Sequence, residues 1–357
     1  MRDILSDLER WQGGAQSIAL ATVVQTWGSA PRRAGSKMGL TADGQFSGSV
    51  SGGCVENAVI EAGLESLKTN LPKLLHFGVA DETAWDVGLA CGGSIEVFVK
   101  PLDKTFFEEL RSVIKNKQHA VLITIIRGPD ETVGREFLIH SDGRIPGNVS
   151  DHWQEKVLHL ANETLLAGES RRAMLDDETE IFLEFISPPL TLIAVGAVHI
   201  TVALMSLAKT LGYRTVVIDP RGAWGNADRF PNVDQLIQAW PDEAFEQIKI
   251  TRSTAVAMLT HDPKLDDPAL KISLNSPAFY VGALGSKTTH AKRRERLLSE
   301  GVSESQLARL HAPIGIDIGA GTPEEIALAV MAEVVAAYRK PEQLLADREA
   351  DFHPIKN

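Results

Sequence analysis

Cysteine is scarce in this chain of 357 residues, which contains only Cys54 and Cys91. Two cysteines cannot build the disulfide framework of a small secreted domain, so a reducing, cytoplasmic environment is expected. Long apolar runs are also missing, because the longest covers residues 190–198 and a membrane-spanning helix needs about 20 apolar residues. The N-terminal segment mixes charged and apolar side chains, without the apolar core of a secretory signal. We therefore expect no membrane partner.

Positive charge is in short supply as well, with 36 Lys and Arg against 47 Asp and Glu and a net charge of −11. An acidic chain repels polyphosphate at long range, so no nucleic-acid partner is expected. What remains is an ordinary globular composition, long enough for about two to three domains with cores of their own. One dense basic segment, residues 287–296, could still bind a small phosphate group.

The first half of the chain contains an internal repeat. Residues 17–50 and 119–149 both run from an apolar strand through a polar loop to an Asp-Gly turn and a Gly-x-Val sequence. Each copy continues into a helical pattern and a final strand, which predicts two related α+β halves over residues 1–102 and 103–187. Only the first copy carries the glycine and cysteine motifs, which favours one working half and one structural half.

After the Ser-Pro-Pro sequence at residues 187–189, continuous apolar strands alternate with helical patterns. This alternation is typical of a parallel, doubly wound sheet with helices on both faces. The predicted fold class is therefore α/β, with the duplicated α+β region followed by a Rossmann-like domain over residues 188–340 and a C-terminal tail over 341–357.

Both cysteines lie beside glycine pairs. Gly52 and Gly53 precede Cys54, and Gly92 follows Cys91. Glycines permit the close backbone approaches and turn conformations that aim amides at a ligand, and Cys54 comes just before a predicted helix, whose positive end favours the thiolate. A thiolate among amides suits soft metal or sulfur chemistry, although two buried cysteines that act as small hydrophobic residues remain the alternative.

The turn after the first Rossmann strand keeps only one glycine of the G-x-G-x-x-G dinucleotide motif, Gly196, with Val198 and Thr201 at the other two positions. Asp219 ends the second strand, where an acidic residue binds the ribose of NAD. The pattern predicts a Rossmann fold and leaves NAD(P) binding open. His199 is either a ligand contact or a residue that caps the turn.

Two later strands also end in polar segments, where the carboxyl edge of an open α/β sheet forms its ligand crevice. The first segment supplies Thr260, His261 and Asp262, with a simple Asp-Pro turn as the alternative. The second segment supplies candidate phosphate ligands at the start of a helix, with a solvated helix face as the alternative. Its residues are Gly282, Gly285, Ser286 and Lys287.

These motifs together resemble the xanthine dehydrogenase accessory family, also called the XdhC and CoxI family, over nearly the whole chain. The matching segments are residues 28–32, 35–38, 48–56, 88–93, 217–221, 260–262, 280–287 and 311–319. The chain departs from the family pattern in the first Rossmann turn, where Val198 replaces the second glycine of G-x-G-H.

The resemblance implies a chaperone that binds the molybdenum cofactor (molybdopterin), promotes its sulfuration by a cysteine desulfurase, and inserts it into an apo xanthine dehydrogenase-like molybdoenzyme. It implies that Cys54 and Cys91 contact the metal or its sulfur. Glu56 and Arg221 lie within matching segments and join the candidate cofactor ligands. The competing functions are an NAD(P)-dependent oxidoreductase and an inert interaction subunit, and a homodimer is left open.

Overall fold

The computed structural model describes residues 1–28, 32–78, 93–145, 149 and 151–339. The chain divides into two compact units, Met1–Pro188 and Pro189–Asn357. None of the helices in the described ranges combines the length and the apolar character needed to cross a bilayer.

The first sheet of the first unit is antiparallel and has the strand order β3-β2-β1-β5-β4. Its strands are β1 (Ile18–Trp27), β2 (Lys37–Thr41), β3 (Phe46–Gly48), β4 (Lys73–Phe77) and β5 (Ser94–Pro101), with α1 (Leu5–Gly13) before β1 and α2 (Glu56–Thr69) between β3 and β4. Val55 and Val59 of the α2 segment pack with apolar residues of β1 and β5 in one buried cluster. This packing fixes where the loop before α2 lies on the sheet.

The second sheet has the order β7-β6-β9-β8. Its elements are α3 (Lys104–Lys115), β6 (Ala120–Arg127), β7 (Glu136–His140), α4 (Asp151–Ala167), β8 (Arg171–Met174) and β9 (Glu180–Ile186). The order corresponds to β2-β1-β5-β4 of the first sheet. The central strands of both sheets also carry a register shift at one place, between Val23 and Gln25 in β1 and between Ile125 and Arg127 in β6.

Buried ion pairs join the two sheets with opposite charges on the two sides. Lys37 lies 2.8 Å from Glu184, and Lys100 pairs with Glu136. The strand registers make Lys37 equivalent to Glu136, opposite Thr22 and Thr124, so the first sheet supplies both lysines and the second both glutamates. Because like charges placed together in a buried interface are costly, this arrangement favours pairing of unlike halves.

The second unit contains a parallel six-stranded sheet with the order β12-β11-β10-β13-β14-β15. Its strands are β10 (Thr191–Val195), β11 (Arg214–Ile218), β12 (Gln235–Ile237), β13 (Thr254–Met258), β14 (Tyr280–Ala283) and β15 (Leu310–His311). Its helices are α5 (His199–Thr210), α6 (Pro241–Glu246), α7 (Pro263–Leu274), α8 (Lys287–Ser299), α9 (Glu304–Leu307) and α10 (Pro323–Arg339).

Apolar clusters cover both faces of this sheet, as the continuous apolar strands require. The strand order reverses between β10 and β13, which is the topological switch point where open α/β sheets bind ligands. The predicted fold class, an α+β region followed by a Rossmann-like parallel sheet, is confirmed.

Candidate functional site

The loop between β3 and α2 presents Cys54 to solvent as a free thiol. Gly52 and Gly53 have φ angles of 85° and 119°, in the region that favours glycine. An added Cβ on Gly53 would meet no atom within 4 Å, so its backbone conformation, and not crowding, is what calls for glycine here. The exposure of Cys54 contradicts the alternative in which it is a buried, small hydrophobic residue.

The carboxylate of Glu56, the first residue of α2, holds this loop together. It accepts hydrogen bonds from the backbone amides of Val50 (3.2 Å), Ser51 (2.9 Å), Gly52 (3.1 Å) and Gly53 (2.9 Å). The hydroxyls of Ser49 and Ser51 also donate to it. The loop amides therefore surround Glu56 and not the thiol, contrary to the expectation from the sequence.

The hydrogen bonds to Glu56 determine its ionisation. Burial alone would raise the pKa of the carboxyl, but the hydroxyls of Ser51 and Ser49 and the loop amides outweigh burial and lower the pKa to about 2. Glu56 is thus a fixed anion that orders the loop, and its oxygens are already occupied as acceptors. The Ser51 hydroxyl in turn accepts from the amides of Cys54 and Val55, both at 3.0 Å, so the backbone that carries the thiol is rigidly placed.

The other predicted sulfur ligand, Cys91, and the adjacent Gly92 lie outside the described residues. Within the described ranges, no group of three or more His, Cys, Asp or Glu side chains is placed to hold a metal ion. A metal contact through Cys54 would therefore use the thiol together with ligands that the metal itself carries or that other segments supply.

In the second unit, three polar segments predicted from the sequence follow the carboxyl ends of β10, β11 and β13 and come together around the switch point. A Cβ on Gly196 would lie 2.2 Å from the Thr260 methyl group, so the glycine permits the close approach of these two turns. His199, the first residue of α5, is largely exposed and lies 3.9 Å from Glu324. The N-cap residue of α5 is Val198, whose side chain makes no capping hydrogen bond.

Asp219 is fully buried and already paired. It accepts hydrogen bonds from the Ala197 amide (2.7 Å) and from the Arg221 guanidinium (2.9 and 2.7 Å). Burial opposes ionisation, but these donors outweigh it and lower the pKa of Asp219. The carboxylate thus binds its own chain where an NAD ribose would bind, and Val198 occupies the position of the second motif glycine. The described residues do not fit a dinucleotide at this turn.

The segment after β13 divides into structural and exposed residues. Asp262 caps α7 by accepting from the Lys264 amide at 3.0 Å, and Pro263 is the first helical residue. His261 is exposed. The Thr260 hydroxyl donates to Asp266 Oδ1 at 2.6 Å, which brings a carboxylate not predicted from the sequence into the site.

Asp266 also accepts a hydrogen bond from Arg293 Nη2 at 3.2 Å, and both side chains are only 2% exposed. Burial raises the pKa of Asp266 to about 6, against the opposing effects of Thr260 and Arg293. Neither residue was predicted from the sequence, because they lie on different helices. The only available signal was an arginine in the basic segment that falls on the inner face of α8.

The candidate phosphate ligands predicted from the sequence lie in β14 and in the turn that follows it. Gly285 has a φ of 145°, and the Ser286 hydroxyl caps α8 by accepting from the Thr289 amide at 3.1 Å. Lys287 is exposed. Gly282 lies within β14, where an added Cβ would be 2.6 Å from the Tyr280 hydroxyl, so this glycine serves packing and does not reach the crevice.

Comparisons with known proteins agree with this architecture. A crystal structure described as a xanthine dehydrogenase from Bacillus halodurans superposes with a TM-score of 0.77 and 25% identity, covering 95% of this chain and 96% of that one. Similar sequences include a protein from Bacillus subtilis named as a probable subunit of xanthine dehydrogenase, 28% identical over 91% of this chain and 94% of that protein. The molybdenum cofactor insertion chaperone PaoD from Escherichia coli is 27% identical over 89% of this chain and 82% of that protein.

Two family models match separate parts of the chain. The model described as the XdhC and CoxI family matches residues 11–78, which include the Cys54 loop, and the model described as the XdhC Rossmann domain matches residues 192–334. The chain belongs to the XdhC and CoxI family.

Proposed function

We propose that the protein binds the molybdenum cofactor and inserts it into a xanthine dehydrogenase-like molybdenum hydroxylase. A similar protein bears the name of a molybdenum cofactor insertion chaperone, and another is named for xanthine dehydrogenase. The cofactor is cargo in this proposal, bound and released without chemical turnover.

The exposed thiol of Cys54 is the observation that carries the proposal. Thiolates are preferred ligands of soft metal centres, and a thiol at the surface can give up its ligand to a partner protein. The Glu56 network holds the loop backbone in place before the cargo arrives, which lowers the ordering cost of binding. Cys91 is proposed as the second sulfur ligand.

The proposal includes two partners and one further association. An apo molybdenum hydroxylase would receive the cofactor, and a cysteine desulfurase would supply sulfur to the cofactor while it is bound. A homodimer is a separate proposal that size-exclusion chromatography with light scattering tests directly.

We do not propose that the protein is a nicotinamide-dependent oxidoreductase. Asp219 is saturated by Arg221 and the Ala197 amide, and Val198 places a branched side chain where pyrophosphate approaches the backbone of NAD-binding proteins. Calorimetric titration of the purified protein with NAD and NADP should show no binding.

Purification from a molybdenum-replete host tests the proposal. The parent protein should retain molybdenum and pterin, measured by mass spectrometry of the metal and by pterin fluorescence. Cys54→Ser should reduce the molybdenum content by about tenfold or more, because an alcohol is a poor ligand for a soft centre. The matched control is Asn57→Ser, an exposed position on the same helix start, which should stay within about twofold of the parent.

Two results would contradict the proposal at different levels. A parent protein that carries neither metal nor pterin would overturn the chaperone function. Retention of molybdenum by Cys54→Ser at the parent level would leave the function standing and remove Cys54 from the set of ligands.

A further inference from the structure

A small cleft of about 130 Å³ opens between the starts of α7 and α8 in the second unit. His261 and Pro263 line it on the α7 side, and Thr288, Thr289, Lys292 and Arg293 line it on the α8 side. The cleft thus combines cationic groups, hydroxyls and a helix N-terminus, which are groups that bind anions.

Arg293 is the second observation that points to a ligand. Its side chain is 2% exposed, and Nη2 donates to Asp266 Oδ2 and to the Leu284 carbonyl. Nε and Nη1 are buried and have no hydrogen-bond partner in the part of the chain that the structure describes. A buried guanidinium with unsatisfied N–H groups is costly, and an acceptor in the cleft would satisfy them.

The charges around the cleft favour an anion with more than one negative charge. Arg296 also lines the cleft, but Asp267 accepts two hydrogen bonds from it at 2.7 and 3.1 Å, so its charge is largely balanced. Lys292 is exposed and is not paired in the described structure. Asp266 places one carboxylate in the wall, but Arg293 and Lys292 together outweigh it, and the remaining positive charge attracts a dianion more strongly than a monoanion.

We propose that this cleft is a binding site for a phosphate monoester, with Arg293 donating to the phosphate from the wall and Lys292 from the rim. Guanidinium groups bind phosphate oxygens through paired, charge-assisted hydrogen bonds. The proposed chaperone function supplies one source of such a group, the terminal phosphate of the pterin cofactor, and free phosphate is the other source. The inference rests on the proposed function only for the choice between these sources.

Calorimetric titration of the full chain with inorganic phosphate tests the site, in a chloride buffer of constant ionic strength. Arg293→Lys keeps the charge but loses the planar donors, so the phosphate Kd should rise by about tenfold. Arg294→Lys is the matched control, since Arg294 is the next residue of α8, pairs with Glu304 and does not line the cleft. Its phosphate Kd should stay within about twofold of the parent value.

Lys292→Ala provides a second variant at an exposed position where folding is not at risk, and its phosphate Kd should rise by about three- to tenfold. The proposal would be overturned if the parent protein bound no phosphate. It would also be overturned if the parent, Lys292→Ala and Arg293→Lys proteins bound phosphate with equal affinity. Equal weakening in Arg294→Lys would also overturn it, because Arg294 keeps its charge as lysine and does not line the cleft, so the effect would not come from donors inside the cleft.

The source of the phosphate is decided by cofactor retention in the same variants. Loss of molybdenum and pterin from Lys292→Ala, with Arg294→Lys unchanged, identifies the cofactor phosphate as the occupant. Phosphate binding by a parent protein that never carries pterin supports the cleft and overturns the chaperone function. Normal pterin retention by a parent protein that does not bind phosphate would support the chaperone function and overturn the phosphate site.

Discussion

Two buried carboxyl groups at the starts of helices have opposite ionisation behaviour. Glu56 is the first residue of α2 and has a pKa lowered to about 2, whereas Asp266 lies in the first turn of α7 and has a pKa raised to about 6. Both are buried, at 9% and 1% exposed. The difference in pKa therefore comes from the hydrogen-bond donors around each carboxyl group and from the deeper burial of Asp266.

Glu56 is surrounded by backbone amides and two serine hydroxyls from a single short loop. Such a set of donors stabilises the anion and is satisfied by it in return. Among the described residues, Asp266 accepts hydrogen bonds only from the Thr260 hydroxyl and one nitrogen of Arg293, which are too few to offset its deeper burial. The Cys54 loop is thus complete without a ligand, whereas the Arg293 cleft still has donors to satisfy.

Removal of the Glu56 charge should cause the largest loss in the free energy of unfolding. Glu56→Gln replaces one acceptor oxygen with an NH2 group that faces backbone donors, so the free energy of unfolding at neutral pH should fall by about 2–3 kcal/mol. Urea denaturation measures the change. The control is Glu155→Gln, an exposed glutamate on α4 of the second half, where the loss should stay below about 0.5 kcal/mol.

The pH dependence gives the same comparison a second readout. Because the pKa of Glu56 is lower in the folded protein than its ordinary value of 4.5, its stabilisation is present above that value and is lost as the pH falls toward about 2. The difference in stability between the parent and Glu56→Gln should therefore shrink on acidification. A difference that stays constant over this range would show that the carboxylate charge does not order the loop.

Much of this organisation could be predicted from local sequence, but the pairing around Arg293 could not. Asp219 directly follows the second strand of the parallel sheet, as predicted, and α10 begins at Pro323, directly after Thr322, whose hydroxyl accepts a hydrogen bond from the Glu325 amide. These features depend on apolar runs and on residues within one turn of each other. Arg293 and Asp266 are 27 residues apart and meet only because β13 and β14 are neighbours in the parallel sheet, which brings α7 and α8 together.

The Cys54 loop was an intermediate case. Its glycines and its position before a helix were evident from residues 52–54, but the exposure of Cys54 was not, and the same pattern wrongly predicted amides open to a ligand. Ser49, Ser51 and Glu56 are close enough in sequence to signal a carboxylate held by the loop, although their spacing differs from the Ser-x-x-Glu pattern at helix starts. A local acceptor should therefore be considered before an external anion.

Asp266→Asn should change the free energy of unfolding by less than Glu56→Gln does, and it should stabilise the protein. Because the folded-state pKa of Asp266 is raised to about 6, the stability that comes from its bound proton is present below the ordinary value and is lost as the pH rises through about 6. Asparagine mimics the protonated form, because its oxygen can accept from Arg293 while its NH2 group donates to the Thr260 hydroxyl, which then acts as an acceptor. At about pH 8 the variant should gain about 1–2 kcal/mol over the parent, and the gain should vanish near pH 4.

The same variant connects stability to the proposed phosphate site. Removing the carboxylate charge should lower the phosphate Kd by about threefold or more at about pH 8, since one repulsive charge leaves the wall of the cleft. Asp267→Asn is an unsuitable control, because it frees Arg296, so Asp262→Asn, outside the cleft wall, serves instead. Destabilisation by Asp266→Asn at high pH would mean that the ion pair with Arg293 outweighs the cost of burial.

The smallest change in the free energy of unfolding is expected for Cys54→Ser. The Cys54 thiol is exposed and only its backbone amide takes part in the loop network, so the free energy of unfolding should change by less than about 0.5 kcal/mol. The parent thiol should react with a maleimide reagent without denaturant, as peptide mass spectrometry can show. Loss of molybdenum from a variant of unchanged stability would then be due to the missing sulfur, because the Glu56 network that fixes the loop stays intact.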